Sequence, residues 1–270
     1  MTKTKLNILP LPTFARLGVN YAEREVGAFE REEITVPENS EQQIIKFVSP
    51  CSETVVTVGK GAALKLVMGF GEKQQCAAKL TTELDENAKL DLIQLYLGGD
   101  TVSEIVTELK GRKAAFTAEI GYDLGAGDKL DINLVANHYG RKSMSEIAVN
   151  GVLRDNAQKT FKGTIDFRNG SAGAKGSEKE DVILMNEAVV NKTVPVILCD
   201  EEDVEGSHGA TIGRIDENHI YYMQSRGIPE EKICEMITRA RLDRIIKKIG
   251  DKDAQKRICG ILGRGDEDDE

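Results

Sequence analysis

The sequence predicts a mainly β protein, a parallel solenoid followed by a C-terminal α-helical module. Three observations carry this. From residue 41 to about 212 the chain alternates apolar and polar residues with period two almost without a break. Pro195 falls inside that span at or near a strand edge, and no helical pattern interrupts it. From about residue 214 the apolar spacing changes to the helical period of about 3.6.

Within the β region, IIKFV, TVVTVG, ALKLVMGF, AAKLTTEL, KLDLIQLYL, VSEIVTEL, AAFTAEIGYDL, KLDINLVANH, EIAVNGVL, KTFKGTIDF, VILMN and VPVILCD read as strands. Gly59, Gly61, Gly98-Gly99, Gly125, Gly127, Asn156 and Asn169-Gly170 separate them. So many strands need an architecture that hides edges: a sandwich, a barrel or a solenoid. Tight hairpin dipeptides are scarce, limited to Asn150-Gly151 and Asn169-Gly170. Small and β-branched residues at short spacing suit stacked rungs, which favours the solenoid. The segments LDENAKLDL, LGAGDKLDINL and LRDNAQKTFKG resemble one another, but their unequal spacing gives no strict repeat.

Residues 1–40 read as an N-terminal segment punctuated by Pro10, Pro12 and Pro37. RLGVNYAEREVGAF predicts a short helix there, and Leu9, Leu11 and Phe14 predict packing on the body. The β core is assigned to 41–213, a helical module to 214–263 and a disordered acidic tail to 264–270. In the module, Asp216 is expected to cap a helix through ENHIYYMQSR that Gly227 ends. Pro229 opens a second helix with Glu230 and Glu231 in its first turn. Ile233, Met236, Ile237, Ala240, Ile245 and Ile249 form its expected apolar stripe. A third helix, DKDAQKRICGIL, is expected to end at Gly263.

Composition narrows the function. Across 270 residues, 36 Lys and Arg face 45 Asp and Glu, a net charge of −9. That balance argues against general nucleic-acid or anionic-membrane binding. No stretch reaches the ~20 apolar residues of a membrane span, and the start does not read as a signal peptide, so a cytoplasmic location is expected. The cysteines at 51, 76, 199, 234 and 259 form no C-x-x-C pair, which argues against a disulfide framework or a structural zinc site. With no tryptophan and 5% aromatics, a stacking platform for single-stranded nucleic acid is not expected either.

Phosphate-loop, zincin, nucleophile-elbow and dinucleotide motifs are all missing. The densest chemistry is CDEEDVEGSHGATIG, residues 199–213. Cys and His there are ligand types for borderline and soft metals, including iron in sulfur clusters. The plain alternative is that His208 closes a strand end and Cys199 is a small core hydrophobe. Scattered carboxylates also leave open a solenoid carbohydrate enzyme.

The segment GSHGATIGRIDENHIYYMQSRGIPEEKICEMITRARLDRII resembles the C-terminal signature of the SufB/SufD family of iron–sulfur cluster assembly proteins. QKTFKGTIDF is similar to a family strand, and LNILPLPTFARLGVN to the start of short SufD-like members. The resemblance implies a right-handed parallel β-helix with C-terminal helices, acting as a scaffold for an iron–sulfur cluster rather than as an enzyme. It implies a SufC-like ABC ATPase as partner, docked on the helical module. Tyr222, Arg226, Gly227, Ile228, Ile233 and Ile237 are the expected contacts. It also implies pairing with a second copy or with a SufB-like subunit. His208 is the family histidine and, with Cys199 as the nearest thiol, the candidate cluster or metal ligand. The chain departs from the pattern at Gly206, where SufD-like members often carry Cys, and at Val189, the ungapped position of the SufB cysteine. A purely structural solenoid subunit therefore stands as the alternative. The apolar residues of the helices could equally pack them as a cap on the solenoid end.

Overall fold

The structure is a computed structural model that describes residues 2–12, 15–71, 75–215 and 217–262. The expected roles of Phe14, Asp216, Gly263 and the acidic tail lie outside these residues. Strands β1 (Thr2–Leu6) and β2 (Ala22–Val26) form an antiparallel ribbon. Fourteen strands then build two parallel seven-stranded sheets. The first holds β3 (Glu30–Val36), β5 (Cys51–Val58), β7 (Gln75–Leu84), β9 (Asp100–Leu109), β11 (Lys129–His138), β13 (Gln158–Phe167) and β15 (Val190–Cys199). The second holds β4 (Glu41–Phe47), β6 (Ala63–Phe70), β8 (Lys89–Leu97), β10 (Ala115–Leu124), β12 (Met144–Leu153), β14 (Ala174–Leu184) and β16 (Val204–Arg214).

The chain alternates between the sheets, so each consecutive odd–even pair is one rung of a flattened solenoid. Inward residues such as Leu66, Leu92, Phe116, Ile120, Ile132, Phe161 and Ile165 fill the space between the sheets. The rungs are unequal. Glu30 pairs with Ser52, Asp100 with Lys129 and Gln158 with Val190, so the repeat grows from 22 to 29 to 32 residues. This explains the irregular spacing of the similar segments. Those at Leu124 and Leu153 occupy one corner on successive rungs, because these two residues pair, while Leu84 ends a strand of the other sheet.

The helix expected in RLGVNYAEREVGAF does not form. Ala15–Leu17 make one 3-10 turn, and Ala22–Val26 is strand. Local propensity yields to tertiary burial: Leu6, Ala22 and Val26 cover Ala77 and Val102 on the outer face of the first sheet, and Leu9 and Val19 cover Val194. The first rung strand, β3, lies within the first forty residues. Pro195 sits mid-strand in β15, an edge strand, where a missing N–H is tolerated.

The helices are α1 (Glu217–Ser225), α2 (Glu230–Ile246) and α3 (Lys252–Ile261). Pro229 precedes α2 with extended backbone, and Asp251 caps α3 by accepting from the Ala254 N–H at 2.8 Å. They do not cap the solenoid end. Leu242, Ile245, Ile246, Ile249, Ala254 and Ile258 pack on Val67, Ile93, Leu95 and Leu97, on the outer flank of the second sheet. The buried stripe of α2 is Ile233, Thr238, Leu242, Ile245 and Ile246; Met236 and Ala240 are exposed. The expected stripe drifted because Leu242, not Ala240, continues the face that meets β8 and β10.

Gly121 on β10 permits this close approach. A Cβ there would stand 2.7 Å from Leu95 Cδ2 and 3.0 Å from the δ-carbons of Ile245 and Leu242. Gly121→Leu should therefore loosen α2, lowering stability by about 1–3 kcal/mol and speeding proteolysis between residues 226 and 250. Unchanged proteolysis would show that the helix has room to shift. Among the described residues no helix is long and apolar enough to cross a membrane.

Candidate functional site

Among the described residues no strand lies beyond the last rung, β15 and β16, in either sheet. Its sequence explains what this leaves open. β16 runs VEGSHGATIGR, with eight uncharged residues between Glu205 and Arg214, and almost every position is exposed. The opposite end of the solenoid is built differently. There β3 is EREEITV and β4 begins EQQ, short strands with charges that discourage pairing. One end is therefore protected against edge-to-edge association and the other presents a long, small-residue edge.

His208 sits in the middle of that edge and is exposed. It pairs in register with Glu178 of β14, and side chains at paired positions project to the same face. Because Glu178 points into the solenoid and is 4% exposed, His208 lies over it on the open mouth. Burial raises the Glu178 carboxyl to about 7; neighbouring Glu180 adds to this and Lys159 opposes it. Gly163 makes the space, since a Cβ there would overlap the Glu178 carboxylate.

Beneath the mouth lies an ion cluster that sequence reading missed. Lys159 and Glu180 pair with no solvent exposure of either side chain. Thr193 on β15 joins them, accepting from Lys159 at 3.2 Å and donating to Glu180 Oε2 at 2.5 Å. Burial pulls the Lys159 ammonium down and Glu180 holds it up. The signal in sequence was weak, because AKGSEKED carries charge on both faces and hides its period.

Cys199 also faces the mouth, one rung above Phe167, with its thiol exposed and 3.0 Å from the Glu201 carbonyl oxygen. Gly206 lies opposite Ile197, where an added Cβ would be 3.4 Å from Ile197 Cγ2. That alignment sets Cys199 against Val204, four residues from His208, or about 13 Å at ~3.3 Å per residue. The structure does not bring His208 and Cys199 together. Among the described residues no group of three or more His, Cys, Asp or Glu could hold a metal ion. One chain thus offers separated donors, not a complete ligand set for a cluster. Of the other histidines, His138 is buried at the end of β11 between Ser143 and Ser145, at 2.8 and 2.9 Å, and burial lowers its ring to about 4. Val189 is half-buried against the core.

The candidate contacts on the helices fall into two groups. Tyr222 and Arg226 are exposed and stack at 5.2 Å, and Gly227 ends α1 in a left-handed turn (φ 84°). Ile228 and Ile237 are half-buried, the latter in a groove with Ala148, Asp181, Arg241 and Arg244. Ile233 is 1% exposed and anchors α2 from within.

Comparison with known proteins gives a consistent result. Residues 19–241 match the family described as SUF system FeS cluster assembly, SufBD core domain. The chain is 28% identical over 168 residues to the iron-sulfur cluster assembly protein SufD of Bacillus subtilis, covering 62% of this chain and 38% of that protein. It is 23% identical over 256 residues to SufB of the same organism, covering 89% and 53%. With SufD of Escherichia coli it shares 27% over 113 residues, covering 42% and 27%. The chain thus spans about half or less of the length of these relatives.

Proposed function

Since this chain belongs to the SufBD core family, we propose that it is a scaffold component in the assembly of iron–sulfur clusters. The observation that carries the reading is His208, placed mid-strand on an uncharged, uncovered edge of the last rung. An exposed edge of this length calls for a covering strand. A second copy or a SufB-like subunit pairing there would add donors beside His208 and complete a set that one chain lacks. The cluster is cargo, built and passed on, which suits an open mouth better than a buried cage. Cys199 lies further along the same mouth and serves as a secondary donor toward the partner.

Mechanical drive would come from a SufC-like ATPase docked on the helical module, with Tyr222, Arg226, Gly227, Ile228 and Ile237 as the contact and Ile233 as its internal support. α2 packs on β10 and β12 and is tied to β14 by the Arg241–Asp181 pair at 2.7 Å. A push on α2 is therefore felt on β14, the strand next to His208.

Anaerobic co-expression with the SufC-like ATPase tests both parts. Tyr222→Ala with Arg226→Glu, both at exposed positions, should abolish copurification while leaving the fold intact. His208→Ala should leave copurification intact and lower bound iron by at least the roughly tenfold that outer-shell changes cost. The incomplete ligand set favours a second reading, a structural subunit with no cargo of its own. Iron binding unaffected by His208→Ala would select it.

A further inference from the structure

We propose that the corner joining the first sheet to the second carries a docking site for an acidic segment of a partner protein. At this corner six successive rungs share a left-handed position: Asn39, Gly61, Asn87, Lys113, Lys142 and Gly173, with φ of 54°, 67°, 56°, 59°, 57° and 78°. Asn and Gly enter that conformation most readily, and the column uses them at four of six positions. At two adjacent rungs the chain accepts the conformational cost of lysine instead. Backbone strain that persists where a cheaper residue serves the neighbouring rungs points to a use for the side chain.

These rungs also differ in charge. The turns KGRK and GRK stack directly, with the Lys113 N–H donating to the Arg141 carbonyl at 2.9 Å. They place Arg112, Lys113, Arg141 and Lys142 on two rungs ~4.8 Å apart. All four are exposed, and none has an ion-pair or side-chain hydrogen-bond partner among the described residues. Lys110 beside them is paired with Glu108 at 3.5 Å and lies over the Tyr139 ring at 4.6 Å, so it is not counted among the four. Elsewhere along this corner the cations are neutralised: Lys60 by Glu86 at 2.6 Å, Arg168 by Asp166 at 2.6 Å and Lys175 by Glu205 at 2.7 Å. On a chain of net charge −9, four adjacent unpaired cations repel one another unless an anion covers them.

The flanks define the partner. Glu86 on one side feels Arg112, and Glu201 on the other feels Arg141. These carboxylates close the patch after two rungs. A nucleic-acid duplex or a lipid surface would be repelled at both margins, whereas a short run of Asp and Glu fits between them.

The probe is a fluorescein-labelled octapeptide of alternating Glu and Asp, with a Gln/Asn peptide as control, titrated into the full chain and followed by anisotropy. Lys113→Asn with Lys142→Asn removes two charges and installs the residue that Asn39 and Asn87 already use. The double variant should fold with an unchanged or higher thermal midpoint and bind the acidic peptide ~10-fold more weakly. Arg112→Gln with Arg141→Gln should weaken it similarly, and this pair stands in if the first fails to fold. Equal binding by either folded variant overturns the proposal. So does no binding by the wild type, or tighter binding of duplex DNA or phosphatidylserine vesicles than of the peptide.

Discussion

Lys159→Ala should destabilise the protein by about 3–5 kcal/mol, among the largest effects of any single substitution here. Among the described residues Lys159 is the one cation paired with Glu180 inside the solenoid, and neither side chain reaches solvent. Removing it strands a carboxylate whose remaining partner is Thr193, next to the equally buried Glu178. The expected result is a large fall in the urea midpoint at pH 8. Replacing both members, Lys159→Met with Glu180→Leu, should recover most of the loss, because two apolar groups of similar size leave no charge to desolvate. If the single and double variants are equally unstable, packing volume and not charge holds this region.

Glu178→Gln should act in the opposite direction. The folded carboxyl titrates near 7 against an ordinary value of 4.5, because burial disfavours the charged form. Between those values the folded state binds more protons than the unfolded one, so stability falls as pH rises through the interval. Above the upper value the cost is complete, about 3 kcal/mol at ~1.36 kcal/mol per unit. Glu178→Gln should remove it, stabilising the protein at pH 8 and changing little at pH 4. A variant whose gain is the same at both values would trace the effect to shape and not to ionisation.

The two parts of the molecule differ in how much the residues disclose. Strands such as KLDINLVANH alternate cleanly because one face is core and the other solvent or helix. The switch to helical spacing near residue 214 is equally plain. EREEITV, AKGSEKED and GSHGATIG do not read as strands, although all three are. The first and last are end rungs, with little or nothing to bury on one side, and the middle one carries its charges inward. The same cause hid the ion cluster, since a lysine and two glutamates in a polar run look solvated until register closes them in. His208 stood out through its neighbours' small size, but its place above Glu178 depends on a 30-residue repeat that varies from rung to rung. Lys113 and Lys142 were invisible as turn residues because only Asn and Gly advertise left-handed backbone.

The unequal ends of the solenoid also bear on kinetics. Each rung contacts only its neighbours, so the array behaves as a chain of coupled units in one dimension. Interior rungs are held from both sides; the rung that carries His208 is held from one, and opens most cheaply. In the proposed pair the missing neighbour comes from another chain, so docking and ordering are a single event. The lifetime of the assembled mouth is then the residence time of the partner, and release of cargo needs no unfolding beyond the parting of two edges.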